Sequence, residues 1–248
     1  MVDWIEQTKS FFDTHRKKII FLVIGLVVVS CLLIILNITN KVTVPYHAEK
    51  QNIWTYPFKT GDLFLFSKKV DPLLSANRAL KLFTKTTTNH VGVVYVEPHS
   101  GHVYVWDMNI TGPRLASLSS LVDGSSATNQ HHFLVRPLNK PADSKLFQKI
   151  IRQQWDAVYD YDIGLATYHR FFPILPFLRG HEWNCGKQRH CAHFVVEMYA
   201  KLGVLDMQHS LVDPSSYIPA DFSQEYKKGV NIPLTSGYKF GNTVMLVE

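Results

Sequence analysis

The sequence predicts an α+β domain, a small antiparallel sheet packed on helices, carried behind one transmembrane helix. Three observations predict it. Residues 19–38 form an apolar block, IIFLVIGLVVVSCLLIILNI. Short strand-like runs at 62–66, 91–96, 103–106 and 133–136 lie between residues 61 and 137. After residue 143 the apolar period changes from two to near 3.6, twice, before a last strand-like run. Strands first and helices after is the order of an α+β domain, in contrast to the alternation of a βαβ sheet.

The apolar block holds no charge. A helix rises about 1.5 Å per residue, so 20 residues span roughly 30 Å, the depth of a bilayer core. A signal peptide has an apolar core of about 7–15 residues and a small-residue cleavage site. Here the run is longer and leads into Asn37-Ile38-Thr39-Asn40-Lys41, so it reads as an uncleaved anchor. His15-Arg16-Lys17-Lys18 abuts its start, and Lys41 stands alone just beyond its end. The positive-inside bias puts residues 1–18 in the cytoplasm and the C-terminal domain on the opposite face of the membrane. The expected organisation is a cytoplasmic segment (1–18), a transmembrane helix (19–38), a stalk with Pro45 and Pro57 (39–57), and one domain (58–248).

Composition removes several classes. The 248 residues are 46% hydrophobic and 19% charged, which excludes a disordered or collagen-like chain. Three cysteines cannot build a disulfide framework. The net charge of +6 is spread out, with no basic stripe interleaved with aromatics, so nucleic acid is not an expected partner.

Residues 62–66 (DLFLF) read as a strand opened by Gly61, and 72–84 as a helix. Residues 91–96 (VGVVYV) are a β-branched strand. Pro98-His99-Ser100-Gly101 turns the chain into a second strand at 103–106 (VYVW), which makes a hairpin. A further strand is expected at 133–136, closed by Pro137. Over 143–160, Leu146, Ile150, Trp155, Val158 and Tyr159 recur at helical spacing. Residues 165–180 are apolar, aromatic and broken by Pro173 and Pro176. Residues 191–202 form a second amphipathic helix with Gly203 as its stop. Residues 243–247 read as a final strand.

Cys191 opens that second helix. Backbone N–H groups and the positive end of the helix dipole favour a thiolate there. Arg189, His190 and His193 add an electropositive surround. A thiolate nucleophile needs a base, and His90, at the start of the VGVVYV strand, is the candidate. Asp107 ends the next strand of the hairpin and can orient the imidazole. Singly, each has a plain structural reading: Cys191 as a small buried residue, His90 as a strand end, Asp107 as a turn residue.

Gly61-Asp62-Leu63, Asn89-His90-Val91-Gly92-Val93-Val94, Val105-Trp106-Asp107 and Cys191-Ala192-His193-Phe194-Val195 occur in an order that resembles the circularly permuted papain-like NlpC superfamily. The YiiX-type bacterial branch and its poxviral relatives are the most similar. Tyr159-Asp160-Tyr161-Asp162 and Ile218-Pro219-Ala220-Asp221-Phe222 resemble that branch too. The resemblance covers roughly residues 55–225 and implies a permuted papain-like fold. It implies Cys191 as nucleophile, His90 as general base and Asp107 as orienting residue, a position often held by Glu in similar enzymes. His102, in the same hairpin, is the alternative third residue, because lecithin:retinol acyltransferase-like relatives use a second histidine. The backbone N–H of Cys191 would join an oxyanion hole. The implied chemistry is cleavage or transfer of an amide, ester or thioester acyl group through a thioacyl-enzyme.

Other readings share these residues. The window from His181 to His193 is rich in metal-ligand types but matches no standard zinc spacing, so no metal and no cofactor is expected. A Cys185–Cys191 disulfide would silence the nucleophile. Asn109-Ile110-Thr111 is a glycosylation sequon in a secretory lumen. Residues 165–180 are either core packing or an acyl-binding surface. A tethered active site works near one bilayer face. The expected partners are therefore the lipid bilayer and a lipid-linked or envelope peptide substrate. The competing function is a non-catalytic structural or adaptor membrane protein that keeps the fold.

Overall fold

A computed structural model of the chain describes residues 25, 48–68, 84, 86–109, 111–126, 131–159, 188–209, 213–226 and 231–248. The chain divides into two units, Met1–Thr43 and Val44–Glu248. Of the expected anchor only Gly25 is described, within a helix. Among the described residues no helix is long and apolar enough to cross a membrane. The expected helix at 72–84 (Thr84 apart) and the apolar stretch 165–180 lie outside the described residues.

The second unit is built on one mixed sheet. Its strands are β1 (Glu49–Asn52), β2 (Leu63–Lys68), β3 (His90–Val96), β4 (Val103–Asn109), β5 (Gly112–Ser117), β6 (His131–Arg136) and β9 (Val244–Val247). They run in the order β1-β9-β6-β2-β3-β4-β5. Every neighbouring pair is antiparallel except β1 with β9. The sheet is thus larger than the small antiparallel one expected. β1 falls inside the segment read as a stalk: its mixed polar residues match an edge strand, and Ile53 just after it is buried. β5 was not expected from the sequence, and it opens with Gly112-Pro113, residues that disfavour a strand. Pro113 is tolerated because β5 is the other edge of the sheet, where a missing N–H costs no ladder bond.

Side chains alternate strictly between two layers. Leu63, Leu65, Val91, Val93, Tyr95, Trp106 and Met108 face the first layer. That layer is formed by α2 (Ser144–Gln154) and α3 (Cys191–Lys201). Phe64, Phe66, Val94, Val105, Phe133 and Val135 face the second, closed by Ile53 and by α1 (Leu118–Ser126). Burial on both faces explains why the central strands read as continuous apolar runs.

α2 starts as its sequence directs. The Asp143 carboxylate accepts from the N–H groups of Lys145 and Leu146 at 2.8 and 3.0 Å. Its buried stripe is Phe147, Ile150, Ile151 and Gln154, and the helix ends there. The longer helix expected over 143–160 extended that stripe too far. Trp155 is 57% exposed and stacks on Trp106, while Val158–Tyr159 form β7, paired with Gln188–Arg189 (β8). α3 matches expectation and stops at Gly203, whose φ of 66° lies in the left-handed region.

Asp62 ties the sheet to the start of the helical layer. One carboxylate oxygen accepts from Lys59 N–H at 2.9 Å, the other from Leu138 N–H at 2.8 Å. Burial raises its pKa to about 6 despite those bonds. Asp221 closes a similar turn: in the 3-10 segment Pro219–Phe222 its Oδ2 accepts from Ile218 N–H at 2.9 Å. Asp62 and Asp221, two of the acidic residues in the resembling motifs, are therefore structural pins.

Candidate active site

His90 is the first residue of β3, and its register partner on β2 is Phe66. The imidazole packs on the Phe66 ring, 5.0 Å between centroids. On the neighbouring strand, in the same face, lies Asp107, near the end of β4. Its Oδ2 meets His90 Nε2 at 2.9 Å. The pair that the hairpin spacing predicted is formed.

Asp107 is fully buried and has a second cationic partner that the sequence reading missed. Arg114, directly opposite it on β5, donates through Nε to Oδ1 at 2.9 Å and through Nη2 to Oδ2 at 2.6 Å. Burial alone would push the carboxyl's pKa up. The bonds from His90 and Arg114 outweigh it and hold it down at about 2. The Arg114 guanidinium is pushed up in turn by its bond to Asp107. An ionised carboxylate only accepts hydrogen bonds, so Nε2 of His90 carries the proton. The neutral ring then has its lone pair on Nδ1.

Gly92 lets these groups approach. A Cβ on it would lie 2.7 Å from Val105 Cγ1 and 3.0 Å from both Asp107 Cβ and the Trp106 carbonyl oxygen. His102, the alternative orienting residue, sits exposed in the turn at the other end of the hairpin. It is a strand's length from His90, and the structure removes it as a partner for that ring.

Cys191 is the first residue of α3 and is buried. The Cys185 half of the expected bridge lies outside the described residues. α3 packs across β3 and β4, and Cys191 belongs to the first layer, the same core cluster as Val91, Val93, Trp106 and Met108. His90 and Asp107 point to the second layer.

The surround of Cys191 is less positive than its sequence suggests. His190 is the N-cap: its Nδ1 accepts from His193 N–H at 3.3 Å, and its Nε2 lies 2.9 Å from the Ser215 carbonyl. A carbonyl only accepts, so Nε2 carries the proton, Nδ1 does not, and the ring is neutral. Arg189 Nε and His193 Nε2 both reach Glu197 Oε1, at 2.8 and 3.5 Å. Burial opposes the charge on Glu197, yet bonds from His193 and Arg189 lower its pKa to about 2. The Arg189 charge at the head of α3 is thus matched by Glu197, a residue given no role by its sequence context.

Among the described residues no group of three His, Cys, Asp or Glu side chains is arranged to hold a metal ion. The window read for zinc is described only from Gln188 onward. No protein-family model matches the chain, and no curated protein matches it. Among solved structures it is similar to the metalloprotein yiiX of Escherichia coli O157:H7, DUF1105, with 17% identity and a TM-score of 0.43. That likeness covers 77% of this chain and 90% of the other.

Proposed function

We propose that this chain is a cysteine-dependent acyl hydrolase or acyltransferase, held at a membrane by residues 19–38. The observation that carries the reading is the buried His90–Asp107 bond, which leaves the imidazole in the tautomer of a general base. Cys191 at the head of α3 is the nucleophile. The thiol proton passes to His90 Nδ1, and the sulfur attacks the acyl carbonyl carbon. The bond to the leaving amine, alcohol or thiol breaks, and that group takes the proton from His90. Water, deprotonated by the same ring, then cleaves the thioester and restores the thiol. The N-terminal end of α3 favours the negative charge that develops on the carbonyl oxygen.

Tethering argues for a lipid-linked or envelope acyl substrate. The test is to expose the full-length chain to 4-nitrophenyl esters of increasing acyl length and to an N-acyl peptide, and then to weigh it intact. The expected result is an added acyl mass that maps to Cys191, is absent in Cys191→Ala, and accumulates faster with longer acyl chains. No adduct with any ester, or one that survives Cys191→Ala, overturns the reading. The domain is expected to lie opposite the cytoplasm. Protease added to vesicles with their cytoplasmic face outward should spare it, and its digestion there would reverse the orientation.

One observation favours a second reading, a non-catalytic structural or adaptor protein. His90 packs into the second layer, and Cys191 belongs to the first. In that case His90, Asp107 and Arg114 serve only to tie β3, β4 and β5 together. Replacing them would then lower the melting temperature and leave the reactivity of Cys191 unchanged.

A further inference from the structure

We propose that Arg114 is a positioning residue of this site, holding Asp107 from β5 and tempering how strongly His90 binds a proton. The inference rests on the acyl-transfer reading and adds a residue to it. Arg114 is directly opposite Asp107 in the sheet register and binds both carboxylate oxygens. A two-pronged contact of that kind fixes the carboxylate plane, which a single bond from His90 does not. Oδ2 is the shared atom: it accepts from His90 Nε2 at 2.9 Å and from Arg114 Nη2 at 2.6 Å. Charge given to the guanidinium is not available to an imidazolium, and the guanidinium is itself a like charge beside that ring. The arginine side chain is 35% exposed, so it joins a fully buried carboxylate to the surface.

The other charged groups around His90 do not duplicate this role. On the Pro219–Phe222 turn, packed on β2 and β3, Asp221 is occupied by the Ile218 N–H. Asp123 on α1 is exposed, as are Lys145, Lys149 and Arg152 on α2, which lies in the other layer. At the head of α3, His190 is neutral, while Arg189 and His193 are held by Glu197. The Phe66 ring on β2 is apolar. Arg114 is the cation that reaches Asp107 among the described contacts.

Two reagents measure the effect in the full-length chain. Iodoacetate is anionic and is drawn to a protonated His90; iodoacetamide is neutral. The ratio of their alkylation rates at Cys191, resolved by peptide mass, falls as His90 loses its proton. In Arg114→Gln the midpoint of that fall should rise by about half a pH unit or more. In Arg114→Lys, which keeps the charge and loses the fork, the midpoint should stay near wild type while both rates drop several-fold. An unmoved midpoint in Arg114→Gln overturns the proposal, because a purely structural clamp changes only melting temperature. If Arg114→Gln does not fold, wild-type rates in Arg114→Lys overturn it instead. A wild-type ratio that does not vary with pH, and is the same in His90→Ala, removes the acyl-transfer reading itself. That outcome is distinct from an Arg114 effect that is missing at a responsive Cys191.

Discussion

Asp107→Asn is expected to lower acyl-transfer turnover by about 10²–10⁴-fold while the chain stays folded. Asn nearly matches Asp in shape, so the sheet register is kept. Its amide can sit in two ways, and both remove the charge that stabilises an imidazolium. With the NH₂ group toward His90, Nε2 must accept, the ring proton moves to Nδ1, and the base faces the thiol with the wrong tautomer. With the oxygen toward His90, the NH₂ group confronts Arg114 Nε and the fork is broken. Steady-state turnover of the best ester identified, with circular dichroism as the control for folding, checks this. Turnover within a few-fold of wild type would mean that Asp107 only joins strands. The same variant changes acid stability. The carboxyl lies at about 2 in the fold, against an ordinary 3.8. Its contribution is therefore complete above about pH 4 and is lost as pH falls toward 2. Asp107→Asn should lose that part of the acid sensitivity and keep the part due to Glu197, which is depressed in the same direction.

Gly92→Ala is expected to cost about 3 kcal/mol of stability, at the upper end of overpacking. For a unit of this size that is roughly 6–12 °C in melting temperature. The added methyl would press on Val105 Cγ1, which can rotate, but also on the Trp106 carbonyl oxygen and on Asp107 Cβ, which are backbone or tied to it. Relief requires β3 and β4 to separate, and the His90–Asp107 bond spans those two strands. Thermal unfolding of the full chain should show the loss, along with slower Cys191 chemistry. A melting temperature within 2 °C of wild type, roughly 1 kcal/mol at this size, would show that the strands yield cheaply.

The parts of this architecture that were legible from sequence are those whose signal is local. VGVVYV, the turn at 98–101 and VYVW announce a hairpin by alternation and turn chemistry. The hairpin in turn sets His90 near Asp107. Helix α3 was legible because its apolar stripe and Gly203 lie within three turns of each other. What was not legible depends on partners distant in the chain. β1 is polar and short, and becomes a strand only because β9, at the other end of the unit, pairs with it. Arg114 follows a Gly-Pro pair that disfavours a strand; only the register with β4 reveals it as a ligand of Asp107. The tautomer of His190 depends on the carbonyl of Ser215, 25 residues away. Trp155 looked like core by its spacing, yet it caps α2 and stacks outward on Trp106.

The central claim is that His90 activates Cys191. Its most direct test is the rate of iodoacetamide alkylation at Cys191, followed by peptide mass from pH 5 to 9 in the full-length chain and in His90→Ala. The account predicts a wild-type thiol that reacts well below pH 8.5, the ordinary thiol value, and a His90→Ala thiol whose rate climbs only as pH approaches it. A wild-type profile that follows that ordinary thiol and does not change in His90→Ala would contradict it.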